Sequence, residues 1–159
     1  AIWEWAMKHI ILSAVLGFLP ATAFAGGHAD FAGHGTGIYS DRKTIEATAG
    51  THSMVTTNDV WIYDNPPEGF PAAQKAICTY FQVIATGQQQ PSGGSGTCQA
   101  VDPDGDISLW NGVAQSDGTL AFSVTTGTGK WTALIGAKFR GKTRHSFGGA
   151  SVYDFSPVN

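Results

Sequence analysis

Short β-branched and aromatic segments alternate with turn-forming residues along most of this 159-residue chain. Val, Ile, Thr, Tyr, Phe and Trp favour strands, whereas Gly, Pro, Asn and Asp favour turns. After residue 25, no window sustains a helical stripe over three turns. The strand-like segments are 54–63, 76–85, 97–101, 107–114, 119–125, 137–143 and 150–155. Many short strands with regular turn signals predict an all-β fold, an antiparallel sandwich or barrel.

The segment 119–125 has the alternation of a half-buried strand. Leu120, Phe122 and Val124 share one face, and small or polar residues share the other. The Gly- and Gln-rich segment 88–96 predicts a loose hairpin tip. Residues 26–37 are rich in Gly and His and lack periodicity, which predicts a flexible lead-in before a barrel domain at 38–159.

The first 25 residues have the pattern of a secretory signal peptide, with residues 1–6 as an upstream extension. Lys8 precedes an apolar run at 10–19, and Ala23 and Ala25 supply small residues before the cut. The run is shorter than the roughly 20 residues of a membrane span, and no cysteine follows the cut to carry a lipid. We expect cleavage after Ala25 and a secreted or periplasmic protein without a stable membrane anchor. A buried N-terminal helix is the alternative.

Two cysteines, Cys78 and Cys98, are present. An exported chain meets an oxidising compartment, so a single disulfide between them is predicted. A zinc site built on two cysteines would also need suitably spaced histidines, and none lies between these two.

The charge pattern argues against a nucleic-acid partner. The formal net charge is −3, whereas nucleic-acid binding favours a basic domain. The strongest basic cluster has its members two positions apart, which in a strand places them on one face. It consists of Lys138, Arg140, Lys142 and Arg144. We interpret it as a solvated face, with an anion-binding face as the alternative.

No metal site and no cofactor are predicted. The alternating carboxylates of Asp102, Asp104 and Asp106 are the alternative, since Ca²⁺ prefers oxygen ligands. However, the Asp-Gly pair in this segment is typical of a tight turn between strands. The remaining candidates, His28, His34, His52 and His145, show no ligand spacing; adventitious metal binding by the first two, in the glycine-rich arm, is an alternative.

The stretch 127–136 reads Gly-Thr-Gly-Lys-Trp-Thr-Ala-Leu-Ile-Gly. It resembles the hairpin corner Gly-x-Gly-Lys-aromatic-x-x-aliphatic-x-Gly of small secreted barrels similar to allene oxide cyclase and dirigent proteins. Bacterial exported members also look like the region from Cys78 through Cys98 to the Asp-x-Asp-Gly-Asp turn. The resemblance covers roughly residues 76–155 and implies a calycin-like antiparallel barrel of about eight strands that can hold one small apolar ligand. It transfers no catalytic residue, but Trp131 is expected to plug one end.

The first functional hypothesis is an exported barrel that binds a small hydrophobic or aromatic ligand in its lumen. Aromatic residues on the predicted strands are the candidate ligand contacts, unless they simply fill the core. They are Trp61, Tyr63, Tyr80, Trp110 and Phe122.

Two alternatives remain open, so the sequence does not decide whether the protein is an enzyme. A cofactor-free cyclase, isomerase or lyase would need a positioned proton donor or acceptor. The candidates are Glu46, Tyr63, Tyr80, Arg140 and His145. A structural envelope or surface protein with a packed barrel is the other alternative. A homo-oligomer is compatible with each of these hypotheses.

Overall fold

Eight antiparallel strands form one closed barrel in the computed structural model, which describes residues 27–89 and 91–158. Each strand pairs with its chain neighbours, and the last pairs with the first. The strands are β1 Ala32–Ala47, β2 Gly50–Asp64, β3 Ala73–Ala85, β4 Gly93–Val101, β5 Ile107–Ala114, β6 Leu120–Gly127, β7 Lys138–Phe147 and β8 Ala150–Pro157. A short 3₁₀ helix, Gly129–Leu134, connects β6 to β7. The predicted all-β antiparallel barrel of about eight strands is confirmed.

The seven predicted segments correspond to β2 through β8, and the remaining strand is β1. This strand begins at Ala32, inside the segment 26–37 where the sequence predicts a lead-in. Before it, Ala29 and Phe31 are already buried. The signal-peptide prediction concerns residues 1–25, which lie outside the described residues.

Inward-facing glycines explain why β1 lacks an apolar pattern. Gly33, Gly35 and Gly37 occupy its buried positions and carry no side chain. Gly33 pairs with Tyr63 on one side and Phe155 on the other. A Cβ on Gly33 would lie 2.4 Å from the Phe155 ring, so glycine is required where aromatic rings of neighbouring strands cross β1.

Aromatic side chains fill the barrel at the end where the 3₁₀ helix lies, which we call the closed end. Trp131 of this helix is fully buried and meets Phe70 edge-on, with ring centroids 5.2 Å apart. Its ring also approaches those of Tyr63 and Trp110, at 5.8 and 6.1 Å. The indole therefore occupies the plugging position expected for Trp131.

The turn at residues 102–106 is held by Asp102 and Lys130. Asp102 Oδ1 accepts the backbone N–H groups of Asp104 and Asp106 at 2.9 and 3.0 Å. Asp102 Oδ2 accepts Trp131 Nε1–H at 3.0 Å and Lys130 Nζ–H at 3.1 Å. Lys130 Nζ also lies 2.6 Å from Asp104 and 3.4 Å from Asp106. The three carboxylates considered as alternative metal ligands thus surround a lysine ammonium, which fastens the turn to the 3₁₀ helix.

This cluster predicts acid sensitivity. Burial disfavours the charged form of Asp102, but hydrogen bonds from Trp131, Lys130 and the Asp106 backbone outweigh it, so the pKa of Asp102 lies below its usual 3.8. The stabilisation is therefore complete above that value and is lost as the pH falls through the lower folded-state pKa. We expect Asp102→Asn to lower the free energy of unfolding by about 1–3 kcal/mol at neutral pH.

Urea unfolding at neutral and strongly acidic pH checks this prediction. The loss caused by Asp102→Asn should shrink in acid, where the wild-type carboxylate becomes protonated. Asp104→Asn is the matched control, since its side chain is 71% exposed and contacts the same lysine. Equal losses in both variants, or a loss independent of pH, would contradict the assignment.

A disulfide joins Cys78 and Cys98, directly paired on β3 and β4, as predicted. Cys78 is fully buried. A buried disulfide is consistent with an extracellular or periplasmic protein. Within residues 27–89 and 91–158, no helix has the length and apolar character needed to span a bilayer.

Candidate functional site

A carboxyl group lies inside the barrel, on β2. Alternate residues of this strand face inward, and Asp59 lies between Thr57 and Trp61 among these inward-facing residues. Asp59 is only 3% exposed. Because ionised carboxyl groups are rarely buried without partners, its surroundings decide whether it serves structure or function.

The Asp59 carboxyl is only partly satisfied. The Tyr153 hydroxyl donates to Asp59 Oδ2, and Trp61 Nε1–H donates to the Tyr153 oxygen at 2.5 Å. Asp59 Oδ1 has no hydrogen-bond partner among the described residues, and neither has Thr57 Oγ1, two positions earlier on the same face. The Thr57 side chain nevertheless lies close enough to Asp59 to lower its pKa, so the two atoms are neighbours without a close hydrogen bond. Buried polar atoms nearly always have partners, so this pair marks a place that a further polar group can complete.

Two glycines of β1 make room for this arrangement. Gly35 pairs with Trp61 on one side and Tyr153 on the other, and a Cβ there would lie 2.7 Å from the tyrosine ring. Gly37 pairs with Asp59, and its Cβ would lie 3.1 Å from Asp59 Oδ1. Because Gly35 and Gly37 carry no side chains, Tyr153 can extend across β1 to Trp61 and Asp59.

Burial controls the protonation of these groups. It raises the pKa of Asp59 above 3.8, and interactions with the side chains of Thr57, Tyr153 and Trp61, in that order, offset part of the rise. Burial, followed by the nearby Asp59 charge, also raises the pKa of Tyr80 and of Tyr153. Both phenols therefore stay protonated at neutral pH, while the carboxyl binds a proton more readily than an exposed aspartate.

We expect Asp59→Asn to raise the free energy of unfolding at neutral pH by about 1–3 kcal/mol, the cost of an unsatisfied buried group. An asparagine amide can accept from Tyr153 and donate to Thr57 without carrying charge. In wild type, the native state binds more protons than the unfolded state between pH 3.8 and the raised pKa of Asp59. The free energy of unfolding of wild type therefore falls as the pH rises through that window, and the difference in favour of Asp59→Asn grows as the pH rises.

Chemical denaturation across this pH range is the measurement. Asp64→Asn provides the control, because Asp64 lies on the same strand but is exposed. A destabilised Asp59→Asn protein at neutral pH would show instead that Asp59 is a structural hydrogen-bond acceptor.

The structure brings two of the five predicted ligand contacts to this site. Trp61 is linked to Asp59 through Tyr153, and the hydroxyl of Tyr80 lies 3.6 Å from Cys98 Sγ in the same interior. The other three belong to the aromatic core at the closed end: Tyr63, Trp110 and Phe122. There, the Tyr63 hydroxyl donates to Gln74 Oε1 and Trp110 Nε1–H donates to Ser108 Oγ, so both polar groups already have buried partners.

The predicted catalytic candidates do not converge. Glu46, Arg140 and His145 are exposed on the outside of the barrel. Tyr63 belongs to the core, and only Tyr80 is close enough to the buried carboxyl for its pKa to respond to that charge.

Sequence analysis missed the two residues at the centre of the site, Asp59 and Tyr153. A signal for Asp59 was available, because alternation over 54–63 places it in phase with Trp61 on the inward face. Tyr153 lies 94 positions away from Asp59, and only the closure of the barrel brings them together.

The basic cluster lies on the outer face. Lys138, Arg140 and Lys142 are exposed on β7, while Arg144, at a register shift, pairs with Asp154 at 2.5 Å. Part of this strand lines a concavity of about 430 Å³. A second outer concavity, of about 450 Å³, is lined by His52, Phe81, Val83 and residues 92–95. Asp59 lines neither of them.

Within the described part of the chain, His, Cys, Asp and Glu side chains form no group of three or more suited to a metal ion. Comparison of the chain with protein-family models, curated proteins and solved structures finds no match. The site must therefore be interpreted from its own chemistry.

Proposed function

We propose that this protein is an exported barrel that binds, beside Asp59, a small apolar molecule carrying a hydroxyl group. The observation that carries the proposal is the pair of unpartnered buried atoms, Asp59 Oδ1 and Thr57 Oγ1. A ligand hydroxyl can donate to the carboxylate oxygen and accept from the threonine hydroxyl. Such a ligand removes the cost of both unsatisfied groups, which favours it over a hydrocarbon of equal size.

The small side chains on one side of Asp59 indicate where the apolar part of the ligand lies. Toward the β1–β2 hairpin, the buried positions hold Gly37, Ser53, Val55 and Gly96, and the Tyr80 ring lies against Gly96. Toward the closed end, aromatic rings fill the interior. The ligand body therefore extends from Asp59 toward the hairpin end.

Entry from the hairpin end requires that end to open, because neither outer concavity is lined by Asp59. The pairing of β1 with β8 stops at Ile38, and the Tyr39 N–H still donates to the Gly149 carbonyl, so residues 41–47 of β1 are paired with β2 alone. Segments with few neighbours open at low free-energy cost. This part of the β1–β2 hairpin is therefore suited to move aside.

Export is supported by two independent observations. Residues 1–25 contain the signal-peptide pattern, and the buried disulfide is consistent with an oxidising compartment. The resemblance to allene oxide cyclase-like and dirigent-like barrels agrees with a small apolar guest.

Matched ligand pairs test the proposal. Thermal unfolding is followed with a terpenoid alcohol and its parent hydrocarbon, and with an alkylphenol and its parent alkylbenzene. We expect the hydroxylated member of at least one pair to raise the melting temperature saturably, because it binds the native state. Asp59→Asn should abolish the difference within that pair, whereas Asp64→Asn should preserve it. Equal shifts within every pair, or an unchanged preference in Asp59→Asn, would contradict the proposal.

Proton-transfer catalysis on the bound molecule is a second candidate function. It is favoured by the raised pKa of Asp59 and by the protonated Tyr153 that donates to it. Incubating wild type and Asp59→Asn with each compound that binds, followed by mass spectrometry and chromatography of isomers, tests it. Product formed by wild type alone supports catalysis, and unchanged compound in both leaves the binding function as the conclusion.

A further inference from the structure

We infer that cleavage after Ala25 creates a copper(II) site at the new amino terminus, Gly26-Gly27-His28. The inference rests on the export cleavage proposed above and is independent of the ligand site. Cleavage frees the amine of Gly26, and a histidine follows at the third position. The amine, the backbone nitrogens of Gly27 and His28, and the imidazole Nδ1 make four nitrogens in consecutive chelate rings. Square-planar nitrogen coordination is typical of Cu(II) and Ni(II), and Cu(II) binds more tightly.

The surroundings of His28 fit this role. Its side chain is 55% exposed, so a metal ion can reach it from solvent. Its Nε2 lies 2.7 Å from Asp30 Oδ1. That contact uses the distal ring nitrogen and leaves Nδ1, the atom that closes the chelate ring with the residue's own backbone, for the metal. Metal-bound histidines commonly donate their other ring N–H to a carboxylate, which orients the ring and raises its basicity.

Copper coordination at Gly27 breaks a backbone hydrogen bond of the metal-free protein. Its N–H donates to the Ile135 carbonyl at 2.7 Å, and a Cβ on Gly27 would lie 2.5 Å from the Leu134 carbonyl carbon. The segment is thus held against the end of the 3₁₀ helix. Coordination through Gly27 nitrogen requires its proton to leave, so copper binding and this hydrogen bond exclude each other.

The proton balance is simple. The ammonium group of Gly26 and the two amides each release one proton to solvent, and the metal stays Cu(II) without oxidation or reduction. The ligand set consists of main-chain nitrogens and one imidazole. It is therefore a different kind of site from a cluster of metal-ligating side chains.

The test begins with the protein exported in full length to a bacterial periplasm and purified with its disulfide intact. Mass spectrometry identifies the amino terminus. Cu²⁺ alone is then titrated in a non-coordinating buffer at neutral pH, with visible absorption and electron paramagnetic resonance as readouts. We expect one equivalent to bind with the spectrum of a four-nitrogen square-planar complex.

Two variants separate this site from other copper binding. His28→Ala removes the imidazole. A chain with one additional alanine before Gly26 keeps every side chain but moves the histidine from the third to the fourth position. Both should lose the four-nitrogen spectrum while keeping the melting temperature of the metal-free wild type.

Three results would overturn the inference. They are an exported protein that begins at another residue, a protein beginning at Gly26 that lacks the four-nitrogen spectrum, and a spectrum that survives in either variant. The first result would also refute the proposed cleavage position, whereas the other two would leave it intact.

Discussion

Trp131→Ala is expected to lower the free energy of unfolding by about 3–5 kcal/mol, as large-to-small changes of buried aromatics do. The indole is fully buried and lies against the rings of Phe70, Tyr63 and Trp110. Removing it leaves a cavity among rings that belong to different strands and cannot all move inward. It also deprives Asp102 of one hydrogen-bond donor in a buried position.

Urea denaturation of wild type and Trp131→Ala measures this loss, and Trp131→Phe separates its two causes. Phenylalanine retains much of the ring volume but cannot donate to Asp102, so we expect an intermediate loss. Thr132→Ser, at the exposed neighbouring position of the 3₁₀ helix, serves as the control because it keeps the hydroxyl that donates to the Gly129 carbonyl. A free energy of unfolding of Trp131→Ala within about 1 kcal/mol of the wild-type value would show that Trp131 does not stabilise the packing at the closed end.

Replacing both cysteines by alanine should destabilise the protein by about 3 kcal/mol, the chain-entropy value for a loop of about 20 residues. Cys78 and Cys98 are separated by 20 positions and are directly opposite on β3 and β4. The polar segment between them adds freedom to the unfolded chain that the disulfide removes. Both side chains are buried, so lost packing adds to the effect.

Comparison of oxidised wild type, reduced wild type and the Cys78→Ala/Cys98→Ala protein in denaturant checks this expectation. The reduced protein differs from the oxidised one in the cross-link, whereas the double variant also lacks the sulfur atoms. Reduced wild type should therefore lie between the other two. Equal stability of the oxidised and reduced proteins would contradict a stabilising role for the disulfide.

The two buried aspartates differ in how well their surroundings satisfy the carboxyl group, and this difference assigns Asp102 to structure and Asp59 to function. Asp102 accepts hydrogen bonds from two backbone amides, an indole and an ammonium, and its pKa is lowered. Asp59 accepts one from Tyr153, leaves one oxygen unpartnered, and its pKa is raised. The first carboxylate is stabilised by its surroundings, whereas the second is held there at a cost that a ligand can offset.

Most strands could be predicted from the sequence because their side chains carry the signal. The segment 107–114 coincides with β5, where the buried residues Ser108 and Trp110 alternate with exposed or half-buried ones. Strand β1 carries no such signal, since glycine occupies its inward positions and glycine normally indicates a turn or a flexible segment. The function of these glycines becomes apparent only beside the rings of Tyr153 and Phe155, which come from the other end of the chain.

The candidate site was predictable in part for the same reason. Trp61 and Tyr80 are large aromatic residues on predicted strands, so they were natural ligand contacts. The residue type of Asp59 gives no such signal, because a single carboxylate in a strand is usually exposed. Its pairing with Tyr153 depends on barrel closure, which the pattern of one strand does not encode.

A ligand site at Asp59 is best examined by titrating the Asp59 carboxyl carbon with nuclear magnetic resonance, with and without the tightest hydroxylated compound from the thermal experiment. We expect a pKa above 3.8 in the free protein. Saturation with the compound should change both the chemical shift of that carbon and its titration, while Asp64 stays unaffected. An Asp59 carboxyl that titrates at or below 3.8, with a signal that no compound changes, would show that Asp59 is not a ligand site.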